Sequence, residues 1–535
     1  MTASISEKQK VEAPSQGASI FPTLLKYGVL LIVDAFALIF VYALVFSGNI
    51  GLGTTIGFAI LMVNVVMLIP ALYPLRWMVV GLALVTLLVI YPMFYTIFTA
   101  FTNYGDGHLQ TKQEIIVTFT TSPRFRYAPQ DATTYNYALF RRDGTADDFA
   151  LWLSRSNDDG SIEVAFAPLN APIEVVDTDS VDAPETYQDY ALMSRAESIQ
   201  VISNVQNMVF GEGDDTAQVR TAREVARPLV NRYVYDSARD ALIDQSTDIA
   251  YFANPNTGFF EPEDGGQALT PGYRVNVGFE NFRRLTGDPS LRGPLTTVFI
   301  WTVMFAFLSV FTTFWVGLFM ALIMNDAKMP GKKIIRSLLI IPYAIPGVIS
   351  ILIWKGMLNA NLGIITNTIY DIFGYRVPWF ADPFWARVAV ILVNLWLGYP
   401  YMMLICSGAL QAIPSDIYEA AAVDGASRFD RFWKITLPLL LVTIGPLLIA
   451  SFVYNFNNYL LIEALTAGDP PIAGSTVPTG FTDILINYTY NAAFSTTRDY
   501  GYASAITIVI FLIVATITLF QYQYTKTWEE VGENV

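Results

Sequence analysis

Eight apolar runs of 20 or more residues constrain this chain more than any other feature: 24–46, 54–73, 77–101, 294–324, 337–358, 384–411, 439–463 and 501–522. A bilayer core about 30 Å thick takes roughly 20 helical residues to cross. The runs therefore predict eight transmembrane helices. The first is too long for the apolar core of a signal peptide, and no small-residue cleavage site follows it, so it predicts a retained span.

The charge is placed unevenly. Residues 102–290 hold 29 acidic and 15 basic side chains, which carries the whole net charge of −14; the 17 acids and 17 bases elsewhere cancel. An acidic, water-facing insert of 189 residues is long enough to fold as a domain. No basic patch points to nucleic acid. One cysteine, Cys406 inside an apolar run, and one histidine, His108, leave no basis for a His/Cys metal site or a Cys–His nucleophile, so neither a catalytic nor a metal site is expected.

Loop charges set the orientation. Lys8, Lys10, Lys26, Arg76, Lys328, Lys332, Lys333, Arg336, Arg428, Arg431, Lys434 and Lys526 fall on one side. The loops of opposite parity, near Gly48, at 359–383 and at 465–500, carry only Arg376 and Arg498. The positive-inside rule puts both termini in the cytoplasm and the acidic insert outside. The predicted organisation is a cytoplasmic tail (1–23), three N-terminal spans (24–101), an external domain (102–290), a core of five spans (291–525) and a short cytoplasmic tail (526–535). Within the insert, residues 115–120 and 135–140 read as strands, and 189–210 and 216–235 as helices, giving a mixed α/β domain. Gly278-Phe-Glu-Asn-Phe marks its end, and the first twenty residues read as a disordered tail or surface helix.

The loop between the sixth and seventh spans, 412–438, reads as two short helices. Ser415 suits an N-cap with Asp416 in the first turn, Gly425 suits a left-handed C-cap, and a second turn over 427–434 carries Phe429, Phe432 and Trp433 among basic residues. Aromatics beside charges on a water-facing loop suit docking to a partner. Glu419, Ala420, Ala421, Gly425, Ile435, Leu437 and Pro438 meet a fixed spacing: Glu-Ala-Ala, three residues, Gly, nine residues, then Ile-x-Leu-Pro. This resembles the cytoplasmic loop of ABC importer permeases, where the element couples to an ATPase subunit. No Gly-x4-Gly-Lys-[Ser/Thr] motif is present; Gly331-Lys-Lys lacks the upstream glycine and the hydroxyl. The resemblance thus implies no enzymatic activity and no cofactor in this subunit, with ATP and Mg held by a partner.

Two apolar runs carry polar faces. Ser451, Tyr454, Asn455 and Asn458 fall at i, i+3, i+4 and i+7, with Asn457 elsewhere; Asn394, Leu397, Gly398 and Tyr401 share a face of the preceding span. Amides and tyrosine suit sugar hydroxyls and ring faces, and glycine leaves room for a ring. Asn and Gly also pack helices together, and the residues alone leave both readings open. The stretches 397–401 and 451–458, the three extra N-terminal spans and the large external insert resemble the MalF-type permeases of maltose importers. That resemblance implies an all-α type I importer core with eight spans and a mixed α/β periplasmic insert, in a bacterial inner membrane. It implies sugar contacts at Leu397, Gly398, Tyr401, Ser451, Tyr454, Asn455 and Asn458. It also implies a second, MalG-type permease, two MalK-type ATPases, a periplasmic sugar-binding protein, and maltose or maltodextrin as cargo. Tyr454 departs from the family's phenylalanine, which leaves another oligosaccharide or a polyol open as cargo.

Asp34 and Lys355 read as a packing contact and a snorkelling side chain, and Pro342, Pro346 and Pro400 as kinks. A secondary transporter predicts paired acids or broken helices in repeated halves, which are not evident. A membrane receptor or assembly protein would not need the asparagine face of the seventh span.

Overall fold

The structure, a computed structural model, describes residues 20–533 apart from 130–131, 146, 158–159, 207, 214, 220–223, 228, 326–328 and 496–497. The expectations for residues 1–19 and for Lys328 lie outside the described residues. The chain forms two units that divide after Ala100.

The first unit is built of α1 (Ile20–Phe46), α2 (Ile50–Leu68) and α3 (Val79–Ala100), with a 3₁₀ turn at Pro70–Trp77. That turn cuts the predicted second span short at Leu68, where proline removes a backbone donor. Gly53 lets α1 and α2 approach closely: a Cβ there would lie 2.8 Å from the Val45 side chain. Beside this contact the Asn64 amide donates to the Asp34 carboxylate at 2.8 Å. A lone carboxylate at membrane depth is expensive, and this bond gives it a partner between the two helices.

In the second unit the acidic insert is sheet-rich. A nine-stranded antiparallel sheet is centred on Thr133–Arg142 and Phe149–Ser156, and a four-stranded meander runs from Tyr233 to Pro262. The predicted strand at 135–140 lies in the first of these. The predicted strand at 115–120 is instead helical, in α4 (Lys112–Thr121). Thr111 and Glu114 cap that helix reciprocally, which places Ile115, Ile116 and Phe119 together against the meander. The predicted helix at 216–235 is four strands, Asp215–Val219, Glu224–Arg227, Val230–Asn231 and Tyr233–Asp236. Pairing of Val225 with Tyr135 and burial of Ala217, Val219 and Val225 override the helical preference of Ala, Arg and Glu. Among the described residues of the predicted helix at 189–210, only α5 (Arg195–Val205) is helical, started by the Ser194–Glu197 capping box.

Entry to and exit from this region are stitched together. Val277 donates its N–H to the carbonyl of Phe101, and the Asn103 side chain bonds both Tyr273 and Val275. The chain continues through α6 (Glu280–Gly287) into α7 (Pro289–Asn325). Then follow α8 (Lys332–Ala344), α9 (Gly347–Met357), α10 (Ile364–Phe373), α11 (Pro383–Ala412), α12 (Ser415–Val423), α13 (Arg428–Phe456), α14 (Tyr459–Leu465), α15 (Leu485–Phe494) and α16 (Tyr500–Glu533).

Among the described residues seven helices are long and apolar enough to cross a membrane, and a bent pair makes up to an eighth. That pair is α8 and α9, where the sequence predicts one span over 337–358; they meet at 92°. Ile345, before Pro346, is held extended, because the α region is disfavoured ahead of proline. The predicted seventh span, 439–463, is likewise two helices, broken after Phe456. The core is organised on α7 and α11. Gly317 of α7 sits where a Cβ would lie 2.6 Å from that of Met402, and Gly398 of α11 where one would lie 2.8 Å from Thr313. Small residues facing one another let two membrane helices pack closely.

Candidate functional site: a coupling element and a polar seam

Two places gather the chemistry expected from sequence. The first is the loop between α11 and α13. Helix α12 starts at Ser415 with Pro414 as its N-cap, so Ser415 lies inside the helix, one position later than predicted. Proline is well placed there because its missing N–H would have had no helical partner. The helix ends where Gly425 takes φ +82°, a conformation that strains any residue with a Cβ. The Ala426 N–H then closes the C-terminus on the carbonyl of Ala421 at 2.9 Å. Ser427 caps α13 by accepting from the Asp430 N–H at 3.1 Å.

No residue of α12 is buried, and Glu419, Ala420 and Gly425 are all exposed. Phe429 is 72% exposed and Trp433 is exposed beside it, with ring centroids 6.0 Å apart. The second half of the motif is structural. Leu437 is buried among α7 and α11 residues, and a π turn at Phe432–Thr436 runs directly into Pro438. A π turn shifts the hydrogen-bond ladder by one residue, which lets the helix pass a residue that donates nothing. Sequence reasoning missed what locks the element to the core. The Tyr418 hydroxyl meets the Thr436 hydroxyl at 3.0 Å, and Trp433 packs against Trp315 of α7 with centroids 6.1 Å apart. A tyrosine one residue before Glu419 was the available signal.

The second place is the seam between α11 and α13. Asn455 is only 7% exposed; its Oδ1 accepts from the Asn394 amide at 3.0 Å, and its own amide donates to the Ser451 carbonyl at 2.8 Å. These two asparagines are thus brought together, and they bond one another. Gly398 leaves room for α7, where a ring had been expected. Tyr454 points outward at 69% exposure, and Tyr401 stacks on Tyr343, centroids 6.5 Å apart. Leu397 is half-buried in the core. The expected single face of four residues does not extend to Asn458, because α13 stops at Phe456. Asn458 instead caps α14, accepting weakly from the Leu461 N–H at 3.4 Å. Asn457, set aside on helical phase, is exposed at the break.

The loop after α14 folds back over α7 and α11. Trp301 donates its ring N–H to the Thr482 carbonyl at 3.0 Å, and Arg387 donates to that of Phe481 at 3.0 Å. Asp483 is buried there, with the Gly480 N–H donating to it at 2.8 Å and Gly468 packed so closely that a Cβ would strike its carboxylate. Burial pushes this carboxyl up to about 7, against the opposing pull of that N–H. Among the described residues no group of three His, Cys, Asp or Glu is arranged to hold a metal. His108 packs on Phe259 with centroids 4.4 Å apart, and burial lowers its pKa, so it stays neutral near pH 7.

A bundle of membrane helices with an exposed Glu-Ala-Ala…Gly helix between two of them defines a class, the permease of a binding-protein-dependent transport system. Residues 313–528 match the family described as binding-protein-dependent transport system inner membrane component. Residues 83–165 match the N-terminal region of transmembrane subunits in such ABC transporters. The MalF maltose/maltodextrin transport system permease proteins of Yersinia pestis and Escherichia coli K12 are each 36% identical to the chain. The alignments cover 85% of this chain in both cases, and 85% and 87% of those proteins. The MalF of Photorhabdus laumondii is 45% identical over 54% of this chain and 57% of its own. The chain belongs to the MalF family of transport system permeases, as a multi-pass inner-membrane protein.

Proposed function

We propose that this chain is the translocating subunit for maltose and maltodextrins in an ATP-driven importer. The exposed element made of α12, Gly425 and the first turns of α13 carries the proposal: Phe429, Trp433 and the small residues of α12 are unburied on a water-facing loop, as a docking surface requires. In this reading α12 sits on one of two MalK-type ATPase subunits, which bind and hydrolyse ATP with Mg. A MalG-type permease completes the pathway, and a periplasmic sugar-binding protein delivers cargo. Both termini are cytoplasmic and residues 102–290 periplasmic, with the five-span core at 291–525. Closure of the ATPases moves the coupling loop, the packed α7–α11 pair transmits that motion, and the cavity alternates in access.

Leu397, Gly398, Tyr401, Ser451, Tyr454, Asn455 and Asn458 are proposed to form the sugar site with different tasks. Tyr454 and Tyr401 offer exposed ring faces. Asn455 and Gly398 hold the helices that present them, and Asn458 fixes the break. The relatives are named for maltose and maltodextrin transport over most of the chain's length, which favours that cargo. Another oligosaccharide is the second reading, favoured by the extra hydroxyl of Tyr454. Complexes carrying Glu419→Lys or Gly425→Val are expected to assemble yet lose sugar-stimulated ATP hydrolysis. Normal stimulated hydrolysis in both would overturn the coupling role.

A further inference from the structure

Immediately after the break in the asparagine stretch, a row of aromatic rings begins that the proposed sugar site does not use. Tyr459 lies 5.0 Å from Tyr490, centroid to centroid, and Tyr490 lies 5.0 Å from Phe494. Phe494 lies 5.9 Å from Tyr500, and Tyr500 lies 5.2 Å from Tyr104, at the root of the acidic insert. Tyr490 and Phe494 are 46% and 60% exposed although each has aromatic neighbours on both sides. The row joins four separate segments of the chain: the start of α14, one face of α15, the start of α16 and the stretch after Phe101.

Exposed rings on a membrane protein also serve as interfacial anchors in lipid headgroups. The ends of this row argue for water. At one end Glu463, one helical turn on from Tyr459, is an exposed carboxylate that would be costly against hydrocarbon. At the other, the Arg274 guanidinium lies over the Tyr104 ring, 5.4 Å from its centroid. Rings facing water between hydrogen-bonding groups suit a ligand with apolar faces and a hydroxylated rim, which describes a chain of hexoses.

We propose that Tyr459, Tyr490, Phe494, Tyr500 and Tyr104 form a binding track for α-linked glucose chains, holding the trailing units of a maltodextrin while its leading units occupy the region of Tyr454 and Tyr401. This rests on the maltodextrin reading above and adds to it a chain-length preference located on named residues. Because neighbouring rings are closely spaced, a chain can move along the row without losing its apolar contact. A disaccharide held at the Tyr454 region would not reach most of it.

The test uses the complete importer reconstituted in vesicles with saturating binding protein, with maltose and maltoheptaose as probes. In Tyr490→Ala/Phe494→Ala, the KM for maltoheptaose uptake is expected to rise about tenfold and that for maltose to stay within about twofold, given the usual worth of aromatic contacts. The swap Tyr490→Phe/Phe494→Tyr, which keeps both rings, should restore maltoheptaose uptake. Unchanged maltoheptaose kinetics in the alanine pair would overturn the track. So would an equal loss for both sugars, which is what a lipid anchor or a protein contact at these rings would give. If the unmodified importer takes up neither sugar, the maltodextrin reading falls and the track falls with it.

Discussion

The polar seam between α11 and α13 and the coupling element between them are a few turns apart in sequence and opposite in construction. In the seam, polar groups sit where water is scarce, and they are satisfied by each other: Asn394 bonds Asn455, and Asn455 bonds Ser451. In the coupling element, apolar groups sit where water is plentiful, and Phe429 and Val423 have little of this chain to cover them. The contrast teaches where function lies in such a chain. The seam's buried asparagines are satisfied within this chain, whereas the loop's apolar side chains are left uncovered by it.

Substitutions that confuse the two regions should behave differently, and the packed region should show the larger stability effects. Gly317→Leu is the most severe, because a first carbon already lies 2.6 Å from the Met402 Cβ and 2.8 Å from backbone. Overpacking of this kind costs about 3 kcal/mol, and thermal unfolding of the purified complex should shift sharply downward. Wild-type stability would show that α7 and α11 are free to slide apart.

Asp483 gives a pH signature. Its carboxyl is raised in the folded protein to about 7, so the folded state holds the proton more tightly than the unfolded chain does. The stability this contributes is full below the ordinary aspartate value and is lost as pH rises through about 7. Asp483→Asn should therefore stabilise the complex by on the order of 2 kcal/mol at about pH 8 and do little near pH 4. Equal effects at both pH values would mean that the carboxylate is not buried as described.

A double-mutant cycle on Asn394→Ala and Asn455→Ala should return a coupling of about 1 kcal/mol, the usual size for a hydrogen bond between membrane helices. A value near zero would separate the two residues and return Asn455 to the sugar. The smallest stability effect belongs to Phe429→Ser on the exposed element, within about 0.5 kcal/mol of wild type. Its cost should appear in sugar-stimulated ATP hydrolysis, and a large loss of stability would show instead that the ring packs within this chain.

The membrane half was the more legible half. Apolar length located the seven helices long enough to cross a membrane, though it read as single spans the bent pair α8–α9 and the broken stretch 439–463, and Gly425, read as a left-handed C-cap, does take that conformation. The misreadings share a cause, which is that local signals lost to non-local partners. Residues 216–235 look helical by composition, but the described ones pair with other strands, Glu224–Arg227 with Thr133–Asn136 and Tyr233–Asp236 with Ala241–Asp244. The β-branched run at 115–120 looks extended, but its buried face repeats with helical period. Gly398 looked like space for a ligand because nothing in the sequence shows that Thr313 lies across from it. The breaks at Pro346 and Asn457–Asn458 were signalled by their residue types, yet run length outweighed those signals.

The most direct test of the account is ATP hydrolysis by this chain assembled with its companion permease, ATPase and binding protein, measured with and without maltose. The account predicts strong stimulation that requires both maltose and the binding protein. A well-assembled complex whose hydrolysis ignores every maltodextrin would contradict it.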